Sequence, residues 1–220
     1  MCGRYTLACE SEDLVEAFDL PGLTFEYVAR YNITPGQTAP VLAEDDRGRR
    51  MGLLTWGLVP AWKDRSGSGF INARAESVSE KRSFREAFER RRCLVPADGF
   101  YEWKRSRGGK SPFWIHPVAG GLVSFAGIWE RWSRLGHIPR HTFAILTTDA
   151  NEDVRAIHDR MPVVIAAPGR DLWLARESDA ARVTELLRPA PEGTFESHPI
   201  SERVNRPTED DAALIEPARE

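Results

Sequence analysis

Lysine is scarce in this chain. It occurs at Lys63, Lys81, Lys104 and Lys110, and the rest of the 30 basic residues are arginine. Arginine presents a planar fork of donors that suits phosphate, which lysine meets only as a point charge. The same bias also follows from arginine-rich codon usage, so by itself it assigns no partner. Cysteine is equally sparse, with Cys2, Cys9 and Cys93. Three cysteines provide neither a disulfide framework nor a zinc ligand set, and the expected setting is a reducing cytoplasm. No apolar run approaches the ~18–20 residues that cross a bilayer, so no membrane partner is expected. The start, MCGRYTLACESED, has no basic segment followed by an apolar one, which excludes a secretory leader as the reading of this stretch. There is no excess of positive charge either. The formal net charge is −3, so any nucleic-acid binding has to rest on a local patch.

What is present is an ordinary globular composition, 41% hydrophobic and 29% charged, over 220 residues. That length suits one domain, read as residues 1–220 with a core over 1–204 and a weaker tail over 205–220. Short β-forming runs separated by turn residues dominate. They cover Gly3–Leu7, Thr38–Ala43, Gly52–Trp56, Cys93–Pro96, Phe100–Trp103, Phe113–His116, Leu122–Trp129, Thr142–Thr148, Val163–Ala166 and Thr194–Pro199. In the run containing Phe125, Gly127 and Trp129 both faces are apolar, which marks a central strand. Helical stripes are fewer and short: Glu12–Phe18 with Ser11 as N-cap, Ser83–Arg91, Asn151–Ile157 and Ala180–Leu187. The expected fold class is α+β, a β-rich, mostly antiparallel, barrel-like core with few short helices.

Chemistry is suggested at a handful of positions. Cys2 follows the initiator methionine, and removal of Met1 would make it a 1,2-aminothiol, with an amine of pKa ~7.7–8.0 and a thiol of pKa ~8.5 on one residue. Such a residue can close a five-membered thiazolidine on an aldehyde, or serve as an acyl-transfer nucleophile. It can equally be an idle second residue. Glu102 stands between Tyr101 and Trp103. Desolvation by the aromatics would fit it for acid–base work, whereas strand alternation would send it to solvent. His158 beside Asp159 and Arg160 is a proton shuttle or a helix-end surface histidine. Asn72 and Arg74 in INARAE share one strand face, as a clamp for an oxyanion or phosphate or as a solvated surface. Pro35 and Trp56, in YNITPGQ and TWGLVPAW, are either a stacking platform for bases or core.

These segments also occur in a telling order: CGRYTL, YNITPGQ, WGLVPAW, INARAES, CLVPADGFYEW, FAGIWE, ILTTDAN and HDRMPV, then more weakly VNRP and LIEP. That order resembles the SOS-response-associated peptidase (SRAP) family, relatives of proteins that shield abasic sites. The resemblance implies a sensor of abasic sites in single-stranded DNA, cytoplasmic and nucleoid-associated when bound, with no cofactor and no metal. It implies that Cys2 cross-links to the sugar aldehyde and that Glu102, His158 and Asn72 assist. It implies that Arg4, Arg74 and Arg160 meet phosphates. A cysteine peptidase that frees its own Cys2 is the competing activity.

Overall fold

The computed structural model describes residues 2–45, 48–64, 67–136 and 138–218. Five strands close into a ring. They are β3 (Thr38–Asp45), β4 (Gly48–Trp56), β6 (Arg92–Ala97), β9 (Val123–Trp132) and β10 (Arg140–Asp149), joined in the order β10-β4-β3-β6-β9 and back to β10. The apolar faces expected of β9 are there: Phe125, Ala126 and Ile128 are buried, and the strand is paired on both sides. Gly127 is needed where β9 crosses β6, because a Cβ there would come 2.8 Å from Cys93 Sγ. Most pairings are antiparallel. β10, however, runs parallel to β4 at Thr142–Phe143, and parallel to the short β5 (Asn72–Arg74) at Ile145–Thr147.

A second sheet of five strands lies in the order β12-β8-β7-β1-β2. Its members are β1 (Tyr5–Leu7), β2 (Arg30–Ile33), β7 (Gly99–Ser106), β8 (Gly109–Pro117) and β12 (Phe195–Pro199). One hydrophobic core spans the space between the two sheets, with Tyr5, Trp56, Phe100, Phe125 and Phe143 at its centre. Tyr5 packs edge-on to both Trp56 and Phe125. Both edge strands meet side-chain carboxylates: Asp210 accepts the amides of Tyr31 and Asn32 on β2, and Asp153 accepts those of Gly193 and Phe195 at β12.

Among the described residues the five α-helices are short: α1 (Ser11–Ala17), α2 (Arg85–Arg90), α3 (Glu152–Arg155), α4 (Arg170–Leu174) and α5 (Ala180–Glu185). Ser11 is the first helical residue rather than the cap. Glu10 takes that place with its amide donating to Asp13, while the Ser11 hydroxyl donates to Glu12. The strand expected over Val163–Ala166 sits earlier, as β11 (Arg160–Pro162) paired with the end of β10, and Val164 forms only a single bridge to Phe125. β2 and α4 carry no pattern that had announced them. The fold is α+β and β-rich, with a closed ring of strands at its core. Among the described residues, no helix is long and apolar enough to cross a membrane.

Candidate functional site

The site begins where the N-terminal segment enters alongside β7. Tyr5 pairs with Phe100 and Thr6 with Gly99, and the Tyr101 amide donates to the Arg4 carbonyl at 3.0 Å. Carrying that antiparallel register onward sets Cys2 beside Glu102 and Trp103. The Asp98-Gly99 pair anchors this junction. Asp98 Oδ2 accepts the Ala8 amide at 2.5 Å, and Gly99 leaves room for the Trp114 indole, whose Nε1–H donates to Thr6 Oγ1. Cys2 is 0% exposed. Its carbonyl accepts from Asn72 Nδ2 at 2.8 Å, and its thiol lies 3.7 Å from the Arg4 carbonyl. Burial, reinforced by the charge of Glu102, pushes the Cys2 thiol well above the ordinary thiol range.

Glu102 is 3% exposed, so strand alternation turns it inward rather than to solvent. Tyr101 and Trp103 face the other side of β7, where Tyr101 joins a small second cluster with Ile200, Val204 and Leu214. Burial raises the Glu102 carboxyl above its usual value, and the neighbouring His158 works in the opposite direction. His158 Nε2 stands 3.8 Å from Glu102 Oε2, a charge contact beyond hydrogen-bond range. His158 Nδ1 accepts the Arg160 amide at 2.9 Å. An amide always donates, so the neutral ring's proton is assigned to Nε2, on the Glu102 side. Asp159 Oδ1, also 2.9 Å from Nδ1, is placed to accept a second ring proton when the imidazole is charged.

Asn72 comes from β5, held parallel on β10. With Nδ2 committed to Cys2, its Oδ1 is buried and has no hydrogen-bond partner. Arg74, two residues on, is exposed and lines a cleft of about 470 Å³ together with Glu102, Trp103, His158, Arg105 and Lys110. Arg105 and Lys110 are not among the candidates named from the sequence. In the structure they are directly opposed across the β7–β8 hairpin.

Three of the expected contact residues stand differently. Arg160 lines the same cleft, but its side chain is largely buried and already engaged. Its guanidinium donates to both Glu76 oxygens at 2.7 and 2.9 Å, to Asp149 at 2.7 Å and to the Thr147 carbonyl at 2.6 Å. Arg4 is half-buried and spends its two terminal nitrogens on Asn32 Oδ1 and the Asn205 carbonyl, each at 3.0 Å. Trp56 is 0% exposed, stacked with Phe143, and donates Nε1–H to the Ile71 carbonyl, so no base can reach its ring. The exposed aromatic of that motif is Trp62, 49% accessible, with the Arg82 guanidinium 4.7 Å over its ring. Pro35 is exposed, as a stacking or wedge role requires. A smaller cavity of about 200 Å³ at the barrel's end, against Trp129 and His141, contains none of these residues.

Comparison with known proteins fits this arrangement. The family model described as SOS response associated peptidase (SRAP) matches residues 1–207. The abasic site processing protein YoqW of Bacillus subtilis is 39% identical over 222 residues, covering 98% of this chain and 99% of that protein. The abasic site processing protein YedK of Escherichia coli is 30% identical over 225 residues, covering 99% and 100%. A crystal structure of a Bacteroides thetaiotaomicron protein shares the fold, with a TM-score of 0.88 at 24% identity over 99% of this chain and 100% of that one.

Proposed function

We propose, from the premise that the chain belongs to the SOS response associated peptidase family, that it processes abasic sites in single-stranded DNA by closing a thiazolidine through Cys2. The observation that carries this reading is the joint burial of Cys2 and Glu102, with the Asn72 amide on the Cys2 carbonyl and His158 at the cleft side of Glu102. The named relatives are abasic site processing proteins, which supports the lesion as substrate.

The chemistry balances with no cofactor. Removal of Met1 frees the Cys2 amine. The abasic sugar is mostly a closed hemiacetal, and Glu102, whose carboxyl burial raises above its usual value, is suited to protonate the departing ring oxygen. The amine attacks the aldehyde carbon and water leaves, giving an imine. Sγ then adds to the imine carbon, its proton ends on the ring nitrogen, and the five-membered ring is closed. Glu102 and His158 are the groups that carry these protons, and the buried Asn72 Oδ1 is an acceptor for the amine or a sugar hydroxyl. Holding amine, thiol and aldehyde together makes each step effectively intramolecular. The ring also removes the imine that would otherwise lead to β-elimination and strand cleavage.

Strand binding is assigned to the cleft rim. Like charges directly opposed across a hairpin are destabilising, and Arg105 and Lys110 are such a pair. A phosphate between them would turn that repulsion into attraction, and Arg74 extends the same rim. Pro35 and Trp62 are the exposed groups suited to stacking. The protein then acts in the cytoplasm, on the nucleoid.

The test is denaturing electrophoresis with an abasic single strand, alongside intact-mass measurement. We expect a denaturation-resistant adduct in a protein lacking Met1, absent in Cys2→Ala, which still binds strands in a salt-sensitive way. An adduct persisting in Cys2→Ala would overturn the assignment. So would Cys2-dependent peptide hydrolysis with no adduct.

A further inference from the structure

The hydrogen bonds of the stretch after Val204 converge on the site. Asn32 Nδ2 shares its hydrogens among the carbonyls of Val204, Arg206 and Glu209 at 2.8–3.3 Å. Asp210 takes the Tyr31 and Asn32 amides and pairs with Arg30. Val204 and Leu214 are fully buried against Tyr101. At the centre is Asn205. Its carbonyl accepts from Arg4, two residues beyond Cys2, and its side-chain Oδ1 accepts from Trp103 Nε1, the residue next to Glu102, each at 3.0 Å.

We propose that residues 199–218 form a clasp on the reactive site and that Asn205 is a positioning residue, fixing the strand of Cys2 against the strand of Glu102. This rests on the roles given above to Cys2 and Glu102. β7 has two faces: Glu102 points inward, and Tyr101 and Trp103 point outward to the clasp. β1 and the residues before it touch the inner neighbours through Asn72 and the outer ones through Arg4. Asn205 is the residue bonded to both the Arg4 and the Trp103 side chains, so it spans the two strands from outside. Being exposed itself, it adds little to the core, and its two bonds are not explained by packing. The Arg4 guanidinium, bonded to Asn32 and Asn205, then serves this clasp.

A residue acting this way changes the geometry of reaction more than affinity or global stability. In Asn205→Ala we expect single-turnover cross-linking at saturating abasic strand to slow by roughly tenfold, since small misplacements of reacting groups are costly. Affinity for an intact strand and the melting temperature should stay near wild type. Trp103→Phe, which removes the donor, should slow the reaction similarly, and the double variant should be no slower than either single one, as expected for residues acting through one bond. A readout independent of DNA is alkylation by iodoacetamide, located by peptide mass mapping: Cys2 should react faster in Asn205→Ala, with Cys93 unchanged. Unchanged cross-linking and unchanged Cys2 alkylation would overturn the clasp. Additive effects, or a lowered melting temperature with faster labelling of Cys93 as well, would reduce Asn205 to a general stabiliser and overturn it equally. If the wild-type protein forms no adduct, the proposed function fails while the alkylation arm still decides the clasp.

Discussion

Cys2 and Cys93 are equally buried, both 0% exposed, and burial drives both thiols upward. Their surroundings are opposite. Cys93 lies in β6 against Gly127 and Val95, and burial is the whole cause of its shift. Its carbonyl accepts from Trp173 Nε1, which fixes a helix to the barrel and leaves the sulfur in apolar contact. Cys2 has Glu102 at hand, the Asn72 amide on its carbonyl, and a second titratable group in His158 beyond. Depth keeps a thiol protonated in both places. What separates a reactive residue from an inert one is the presence of groups that can take the proton away.

The largest expected effect breaks or keeps that contrast at Glu102. Glu102→Gln retains shape but cannot move a proton, so cross-linking should slow by roughly 10²–10⁴-fold with little change in strand affinity, read from single-turnover time courses. A wild-type rate would place Cys2 in the same class as Cys93. The variant also carries a stability signature. Burial raises the Glu102 carboxyl above 4.5, so the folded state holds its proton longer than the unfolded chain, and stability declines as pH rises from 4.5 through the raised value. Glutamine pays no such penalty. Thermal melts should find Glu102→Gln more stable than wild type at pH 7, the difference vanishing below pH 4.5.

A smaller effect is expected at the rim. Arg74→Ala should weaken binding alike on every sequence and flatten the salt dependence by about one phosphate contact, measured by titration at several salt concentrations. A loss confined to one base context would point to base reading instead. The smallest effect on reaction belongs to Cys93→Ser. Cross-linking should proceed at the wild-type rate, while urea unfolding should show a loss of about 1–3 kcal/mol for a buried hydroxyl without a partner.

Much of this was legible in the residues. The β-rich class follows from short β-forming runs with turns between them, and β9 is central for the reason its two apolar faces suggest. Cys2 could be singled out by its position along the chain. Glu102 could be named as a candidate, but the side to which it turns could not be read, because alternation gives the parity of a strand but not which side is covered. Here both are, one by the barrel core and one by residues after Val204. The tryptophans of TWGLVPAW illustrate the same limit: Trp56 and Trp62 belong to one short motif, yet one is core and the other surface. Arg160 looks like any arginine until Glu76, distant in sequence, and Asp149 of the neighbouring strand are brought around it. α4 went unseen because its five residues are too few to display a helical period.

The barrel has no open border, whereas the five-stranded sheet ends at β2 and β12. An open border is a template on which another chain can add a strand, the first step toward aggregation. Asp210 already occupies two amides of β2, and Asp153 occupies the amides of Gly193 and Phe195 where β12 begins. Each carboxylate fills donor positions that an incoming strand would need, and brings a negative charge to meet the carbonyls of any strand that approaches. Two aspartates therefore do for this sheet, at these positions, what closure does for the barrel: they leave fewer free amides for another strand to join.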